Sequence, residues 1–287
     1  MNIVQIIPGS GGSFYCGNCL RDSKFYNALK EKAHNVIKVP MYLPLFENDE
    51  AMNGEVPVFY GAVSLYLKES YKLFKNMPLW MEKLFDSKSM LKLASSMAGS
   101  TRAEGLEDMT VSMLLGEEGG QSEELERMTE WIAEHYKPDI IHISNALLLG
   151  LVHKLKEIPG AKVVCSLQDE DVWVDSMRES YQDKVWKLMG EKAKEVDLFV
   201  SVSDYFARLS AERMGLDKDK IEVVHLGVDP DDYVYKNAAE KDRNIGFISR
   251  QCHTNGLDIL VDAFVLLKKE ADFDDVKLIL TGGHTGD

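Results

Sequence analysis

Glycine-rich and polar segments follow the strand-like runs of this sequence, and they hold the residue types that could do chemistry. Gly9, Gly11, Gly12 and Gly17 lie between the β-branched run 2–7 and a helix-like stretch. Backbone N–H groups of such a loop, together with the dipole of the following helix, can bind an anion such as a diphosphate. A tight turn between strand and helix would have the same composition, and both interpretations stay open. The segment matches neither the Rossmann glycine fingerprint nor a Walker A motif.

A second polar segment, Gln168-Asp169-Glu170-Asp171, follows an apolar strand-like run. Ser144 and Asn145 directly follow another such run, 139–143. Ligands of open α/β sheets bind outside the carboxyl ends of the strands, so these side chains are expected to face a ligand. A solvated acidic loop would look the same at 168–171. His142 lies inside its apolar strand and is predicted to be a core group rather than a base.

Cys16 and Cys19 form a Cys-x-x-Cys at the predicted start of a helix, a position at which thiols ionise readily. A zinc site needs two further ligands, and Cys165 and Cys252 have no matching spacing. We therefore favour packing over a metal or redox role and expect no metal. Four cysteines are too few for a disulfide framework in 287 residues.

Strand-like and helix-like segments alternate along most of the chain, which predicts a doubly wound parallel sheet, a Rossmann-like α/β fold. The predicted strands are 2–7, 35–40, 139–143, 161–167, 197–201 and 221–224, and the predicted helices include 146–157, 184–195 and 205–214. Met- and Leu-rich residues 60–120 interrupt the alternation and are interpreted as a helical insertion. A new strand–helix–strand pattern begins near residue 241 and covers 245–248, 257–269 and 276–280. These patterns predict a first domain over 1–240 and the beginning of a second over 241–287, so we expect a longer parent protein.

The composition narrows the class of partner. Lys and Arg number 33 against 47 Asp and Glu, a formal net charge of −14, and 45% of the residues are apolar. Such an acidic chain is a poor match for duplex nucleic acid, which requires a basic face. The sequence has no long apolar run and no cationic leader, so we expect a cytoplasmic protein. Aromatic residues mixed with lysines, from Tyr60 to Met81, predict either a surface that meets an anionic lipid-linked acceptor or the inner membrane face, or a helix pair packed on the sheet.

Two segments of the sequence carry a family resemblance. The first runs from Ser201-Val202-Ser203 to Lys220-Ile221-Glu222-Val223-Val224 and Gly227-Val228-Asp229. The second is Gly246-Phe247-Ile248-Ser249-Arg250 followed by Asn255-Gly256-Leu257-Asp258. In this order they resemble the retaining GT-B glycosyltransferases of family 4, and the resemblance extends from end to end of the chain.

The resemblance implies roles for individual residues. In that family the first domain binds the acceptor and the second binds a nucleotide-sugar. Gly11, Gly12 and Gly17 correspond to the loop that approaches the donor diphosphate, and Arg250 and Asn255 to the Arg and Lys that clamp it. Asn255 is a departure, because an amide lacks the full positive charge that stabilises a leaving phosphate.

A second departure is Gln168, which stands where many family members carry a His. An amide can bind a sugar hydroxyl but cannot act as a base. We assign Gln168, Asp169 and Arg250 as the candidate catalytic residues. Asn18, Ser144, Asn145 and Glu170 are assigned to the acceptor.

The resemblance implies transfer of a sugar, with retention, from a nucleotide-diphosphate-sugar to a hydroxyl of a glycan, lipid or small molecule, as in glycan biosynthesis. The nucleotide-sugar is a co-substrate, and no other cofactor is expected. We expect the 287-residue chain alone to be inactive. The departures at Gln168 and Asn255 leave a non-catalytic GT-B-like binding or scaffold protein as the alternative. A GT-B epimerase or phosphorylase is a third possibility, which should lack the segment 255–258.

Overall fold

Six parallel strands form the central sheet of the first part of the chain in the computed structural model. The structure describes residues 1–8, 17–42, 56–57, 59–61, 78, 81, 85, 103, 105–234, 237 and 242–283. They belong to two units, Met1–Leu226 and Gly227–Asp287. The six strands are β1 (Asn2–Ile7), β2 (Asn35–Pro40), β3 (Ile140–Ile143), β4 (Lys162–Leu167), β5 (Leu198–Ser201) and β6 (Ile221–Val223). Their order in the sheet is β2-β1-β3-β4-β5-β6, and all neighbouring pairs are parallel.

The strand order reverses between β1 and β3. β2 lies on one side of β1, whereas β3 lies on the other side and is followed in order by β4, β5 and β6. In open parallel sheets such a reversal leaves a crevice at the carboxyl ends of the two strands. β1 and β3 are consecutive apolar runs buried on both faces, as parallel strands require. The predicted doubly wound parallel sheet is confirmed.

Helices cover the sheet of the first unit. They are α1 (Gly17–Glu31), α2 (Glu107–Leu115), α3 (Ser122–His135), α4 (Val152–Leu155), α5 (Glu170–Asp175), α6 (Glu179–Lys192) and α7 (Asp204–Met214). Ser203 caps α7 by accepting a hydrogen bond from the backbone N–H of Phe206 at 3.1 Å, and Gly215 ends the helix in a left-handed conformation with φ of 64°. Among the described residues, no helix is long and apolar enough to cross a bilayer.

The segment predicted as one helix over 146–157 differs in the structure. A 3-10 helix covers Ala146–Leu151, and α4 adds one turn. Gly150 lies here against the end of α2, and a Cβ at Gly150 would collide with the carbonyl oxygen of Met113. A Cβ at Gly116 would in turn collide with the carbonyl oxygen of Gly150. The backbone at Gly150 is therefore in direct contact with the backbone at the end of α2. The hydrophobic pattern of the sequence does not reveal this contact.

The core of the first unit includes the end of the predicted insertion. Val111, Met113 and Leu114 on α2 are buried in the same cluster as β1, β3 and β4. Tyr60 is 1% exposed and joins this cluster, so it is a core residue and not part of an exposed aromatic surface. Of the other residues proposed for that surface, 62–77, 79 and 80 lie outside the described residues.

The second unit contains one β-α-β element. β7 (Asn244–Ile248) pairs in parallel with β8 (Lys277–Thr281), and α8 (Leu257–Leu267) connects them. Gly282 has φ of 145°, and a Cβ there would collide with the carbonyl oxygen of Ser249. None of the residues of α8 is buried.

Candidate active site

Six of the residues assigned from the sequence meet at one edge of the first unit, where β3 and β4 end and α1 begins. Asn18, in the first turn of α1, donates its side-chain amide to both carboxylate oxygens of Asp169, at 3.1 and 3.2 Å. These two residues are 151 positions apart in the sequence. Their contact joins the start of α1 to the loop after β4.

The carbonyl oxygen of Ser144 is a second point of contact at this edge. It accepts the side-chain amide of Gln168 at 2.7 Å and Nη2 of Arg21 at 3.1 Å. Gln168 is buried, and its amide nitrogen is engaged in holding the end of β3. Asn145 uses its side-chain oxygen to accept the backbone N–H of Leu147 at 3.0 Å, which caps the 3-10 helix.

Glu170 is a buried bridge between the two loops. Its Oε1 accepts the backbone N–H of Ala146 at 2.8 Å, and its Oε2 accepts the backbone N–H of Gln168 at 2.7 Å. Burial raises the pKa of this carboxyl to about 8, although the N–H donors oppose the shift. Glu170 is 2% exposed. Its contacts are those of a brace, so it shapes the site from inside.

Asp169 has a backbone conformation that is unusual for a residue with a side chain. Its φ is 42° and its ψ is 23°, in the left-handed region, just before α5. Asp and Asn adopt this conformation more readily than other non-glycine residues. The turn exposes Asp169 while its neighbours Gln168 and Glu170 are buried. The loop therefore presents one carboxylate outward and holds its other polar groups within.

A layer of buried polar side chains lies beside α1. Gln5 of β1 pairs in register with Lys38 of β2 and His142 of β3. His142 makes a 2.8 Å hydrogen bond to Ser166 of β4, and burial lowers its pKa to about 3, with Arg21 adding to the effect. His142 is a neutral core group, as expected from its strand.

Sequence reasoning missed Arg21 and its partner Asp22. Nη2 of Arg21 lies 2.6 Å from Oδ1 of Asp22, which is 2% exposed. Burial raises the pKa of Asp22, and Arg21 opposes that shift. Arg21 follows Asn18 by three positions and so lies on the same helix face. A charged residue one turn after a candidate ligand-binding residue is the signal that could have identified it.

The second unit holds the other two candidate residues. Arg250 follows β7 and is exposed. Asn255 donates its side-chain amide to Oγ of Ser249 at 2.8 Å and to the carbonyl oxygen of Arg250 at 3.2 Å. Asn255 thus braces the backbone that carries the arginine. Within the described part of this unit, no carboxylate pairs with the Arg250 guanidinium.

Three glycines were expected to approach a diphosphate. Gly17 is the first residue of α1, whereas Gly11 and Gly12 lie outside the described residues. The N-terminus of this 15-residue helix adds a positive partial charge beside Asn18. In the part of the chain that can be described, no group of three or more His, Cys, Asp or Glu side chains is arranged to hold a metal ion.

The sequence was compared with models of known protein families. Residues 117–232, which include β3 to β6 and the loop 168–171, match the model of Glycosyltransferase Family 4. This part of the chain is therefore similar to glycosyltransferase family 4. The family 4 resemblance of the sequence is thereby confirmed. No curated protein sequence matches the chain significantly.

Solved structures share the fold of this chain. Anabaena Alr3699/HepE, in complex with UDP and glucose, matches with a TM-score of 0.55 at 15% identity, over 99% of this chain and 62% of that one. Trehalose-6-phosphate synthase OtsA matches with a TM-score of 0.52 at 14% identity, over 99% of this chain and 66% of that one. The fold is therefore the GT-B type. This chain spans less than two thirds of the length of HepE.

Proposed function

We propose that the complete protein transfers a sugar from a nucleoside-diphosphate-sugar to an acceptor hydroxyl, with retention at the anomeric carbon. The observation that carries the proposal is the family 4 match over residues 117–232, which contain Ser144, Gln168 and Asp169. HepE, of the same fold, was crystallised with UDP and glucose, which favours a uridine nucleotide as the first donor to test.

The first unit is proposed to bind the acceptor. Asp169 is exposed, and its carboxylate has lone pairs left after binding Asn18, so it can accept a hydrogen bond from a sugar hydroxyl. Gln168 and Glu170 are buried and bonded to backbone groups, so they support this position. In this proposal Asp169 orients the attacking hydroxyl while its two neighbours fix the loop.

The second unit is proposed to bind the donor diphosphate through Arg250. The bond between the anomeric carbon and the diphosphate breaks, and its electron pair leaves with the phosphate oxygen. The acceptor oxygen bonds to the same face of the carbon and releases its proton to the departing phosphate. The Arg250 guanidinium stabilises the charge that grows on the leaving group. Asn255 is neutral and supports this step by holding the carbonyl of Arg250.

The test is a transfer assay with the complete gene product and a panel of UDP-, GDP- and ADP-sugars. Nucleotide release is measured with and without candidate acceptors, and NMR gives the anomeric configuration of the product. Arg250→Ala should lower kcat by at least about 100-fold, as for loss of one preorganised charged donor. Arg243→Lys is the matched control, since Arg243 pairs with Asp275 at 2.8 Å in the same unit.

Binding of a nucleotide without any turnover would instead favour the non-catalytic alternative. The two departures from the family pattern, Gln168 and Asn255, give that alternative its basis. Inversion at the anomeric carbon would contradict the stereochemical part of the proposal and leave the transfer itself standing.

A further inference from the structure

Arg21 has no role in the site that the sequence assigned, yet it lies at the centre of its contacts. Its Nη2 reaches the carbonyl oxygen of Ser144 at 3.1 Å and Oδ1 of Asp22 at 2.6 Å. Its Nε reaches the same Asp22 oxygen at 3.2 Å. The side chain of Arg21 is 17% exposed. A guanidinium presents its donors in a fixed planar fork, so these contacts fix its orientation.

Three structural elements meet at the Ser144 carbonyl. Ser144 follows β3, Gln168 follows β4, and Arg21 belongs to α1, so one oxygen joins all three. The two loops are also joined to each other through Glu170, which binds the backbone N–H groups of Ala146 and Gln168. Two side-chain links join α1 to these loops, namely Arg21 to Ser144 and Asn18 to Asp169.

We propose that Arg21 is a positioning residue of the acceptor site: by binding the Ser144 carbonyl it fixes α1 against the loops after β3 and β4, and thereby keeps Asn18 paired with Asp169. This inference rests on the proposed function for its kinetic consequence. Asn18 and Arg21 are neighbours on one face of α1, so a shift of the helix at Arg21 moves Asn18 as well. The glycine-rich segment precedes α1 in the sequence.

The positive charge of Arg21 matters as well as its hydrogen bond to the Ser144 carbonyl. Asp22 is almost fully buried, and burial raises its pKa, whereas Arg21 and Lys38 both favour its charged form. Removing the guanidinium outright would leave Asp22 short of a partner and could unfold the region. Arg21→Lys keeps the charge but loses the planar fork, so it is the informative substitution.

The first experiment is hydrogen exchange on the 287-residue chain without ligand. In Arg21→Lys, the backbone amides of Ala146 and Gln168 should exchange about tenfold faster, because the loops they belong to open more often. The amide of Val200 in β5 should be unchanged, which separates a local loosening from a loss of global stability. Arg208→Lys, at an exposed position of α7, is the matched control. Equal exchange at Ala146 and Gln168 in both variants would overturn the proposal.

The second experiment measures transfer by the complete protein. Arg21→Lys should lower kcat/KM for the acceptor about tenfold and leave KM for the nucleotide-sugar unchanged. Its effect should also disappear in an Asn18→Ala background, since both changes release the same pair. Additive effects, or a raised donor KM, would contradict a role through Asn18. If the wild-type protein transfers no sugar, the proposed function fails, and the exchange data still decide whether Arg21 holds the two loops.

Discussion

Asn18 and Asp169 form a two-oxygen contact between the start of α1 and the end of β4, with the amide nitrogen 3.1 and 3.2 Å from the carboxylate oxygens. Asp169 reaches this position through a left-handed backbone turn. Left-handed geometry at a residue with a side chain costs about 1–2 kcal/mol and persists where surrounding contacts hold it. The structure thus retains a strained residue at the edge where the loops after β3 and β4 meet the start of α1.

Substitution at Asp169 should separate strain from function. Asp169→Gly should leave the free energy of unfolding unchanged or raise it by about 1 kcal/mol, because glycine adopts positive φ without strain. The same variant should lose most transfer activity, because the proposed acceptor-binding carboxylate is gone. Urea unfolding and the transfer assay measure the two effects. A marked loss of stability in Asp169→Gly would mean that the contact with Asn18 outweighs the strain.

Asp169→Asn is the companion variant, since Asn tolerates the left-handed region nearly as well. It keeps the shape and removes the charge. Activity close to that of the wild type in Asp169→Asn would show that the carboxylate charge is unimportant and would leave hydrogen bonding as the role of residue 169.

Glu170 should make the protein less stable as the pH rises from about 4.5 to 8. Its pKa is about 8 in the folded chain, against an ordinary value of 4.5. The folded state therefore holds a proton that the unfolded state has released, and stability falls as the pH rises from about 4.5 to 8. Glu170→Gln should flatten this part of the stability curve, although it is less stable at pH 5 because one N–H loses its acceptor. Urea midpoints between pH 5 and 9 test this, and an unchanged slope in the variant would contradict it.

His142 should act in the opposite sense at lower pH. Its pKa is about 3 in the folded chain, against an ordinary value of 6.5. Between these two pH values the ring is therefore protonated in the unfolded state and neutral in the folded state. Stability is complete above pH 6.5 and is lost as the pH falls toward 3. His142→Gln, which can still bond Ser166, should reduce that loss. NMR titration of the ring provides a direct measurement, and protonation near pH 6 would refute the burial argument.

The strand and helix pattern of the sequence was enough to predict the parallel sheet. All six of its runs in this sheet, such as 2–7 and 35–40, begin and end within one residue of the observed strands, because strands buried on both faces are largely apolar runs. Asn18, Ser144, Gln168 and Asp169 could be assigned to one edge for a topological reason. Polar residues after parallel strands meet at the carboxyl ends, whatever their separation in sequence.

The roles inside that edge could not be predicted from the sequence. Glu170 and Asp169 are adjacent acidic residues, yet one is a buried brace and the other is exposed, because a left-handed turn separates their directions. Arg21 was missed because its contact with Ser144 spans 123 positions. The segment 146–157 was predicted as a helix, because hydrophobic spacing carries no information about the backbone contact at Gly150.

Gly150→Ala should be strongly destabilising. The added Cβ would meet the carbonyl oxygen of Met113, which belongs to the backbone of α2 and cannot rotate away. We expect a loss of about 1–3 kcal/mol in the free energy of unfolding, in the range of overpacked cores. Gly227→Ala is the control, since nothing lies within 4 Å of its Cβ position. A loss below about 0.5 kcal/mol at Gly150 would show that α2 can shift, and the contact would then be no constraint on the fold.

Turnover by the 287-residue chain alone should be absent, even though its first unit folds. Arg250 lies after β7 in a two-stranded sheet, is exposed, and is supported through its backbone by Asn255. No residue of α8 is buried, so the described part of this unit gives the guanidinium little rigid support, and a transition-state charge is stabilised only by donors that are held in place. The chain and the complete gene product are compared in the same nucleotide-release assay, with cooperative urea unfolding as the check that the first unit is folded. A rate near that of the complete protein would mean that the first unit binds the donor by itself and that Arg250 does not carry the leaving-group charge.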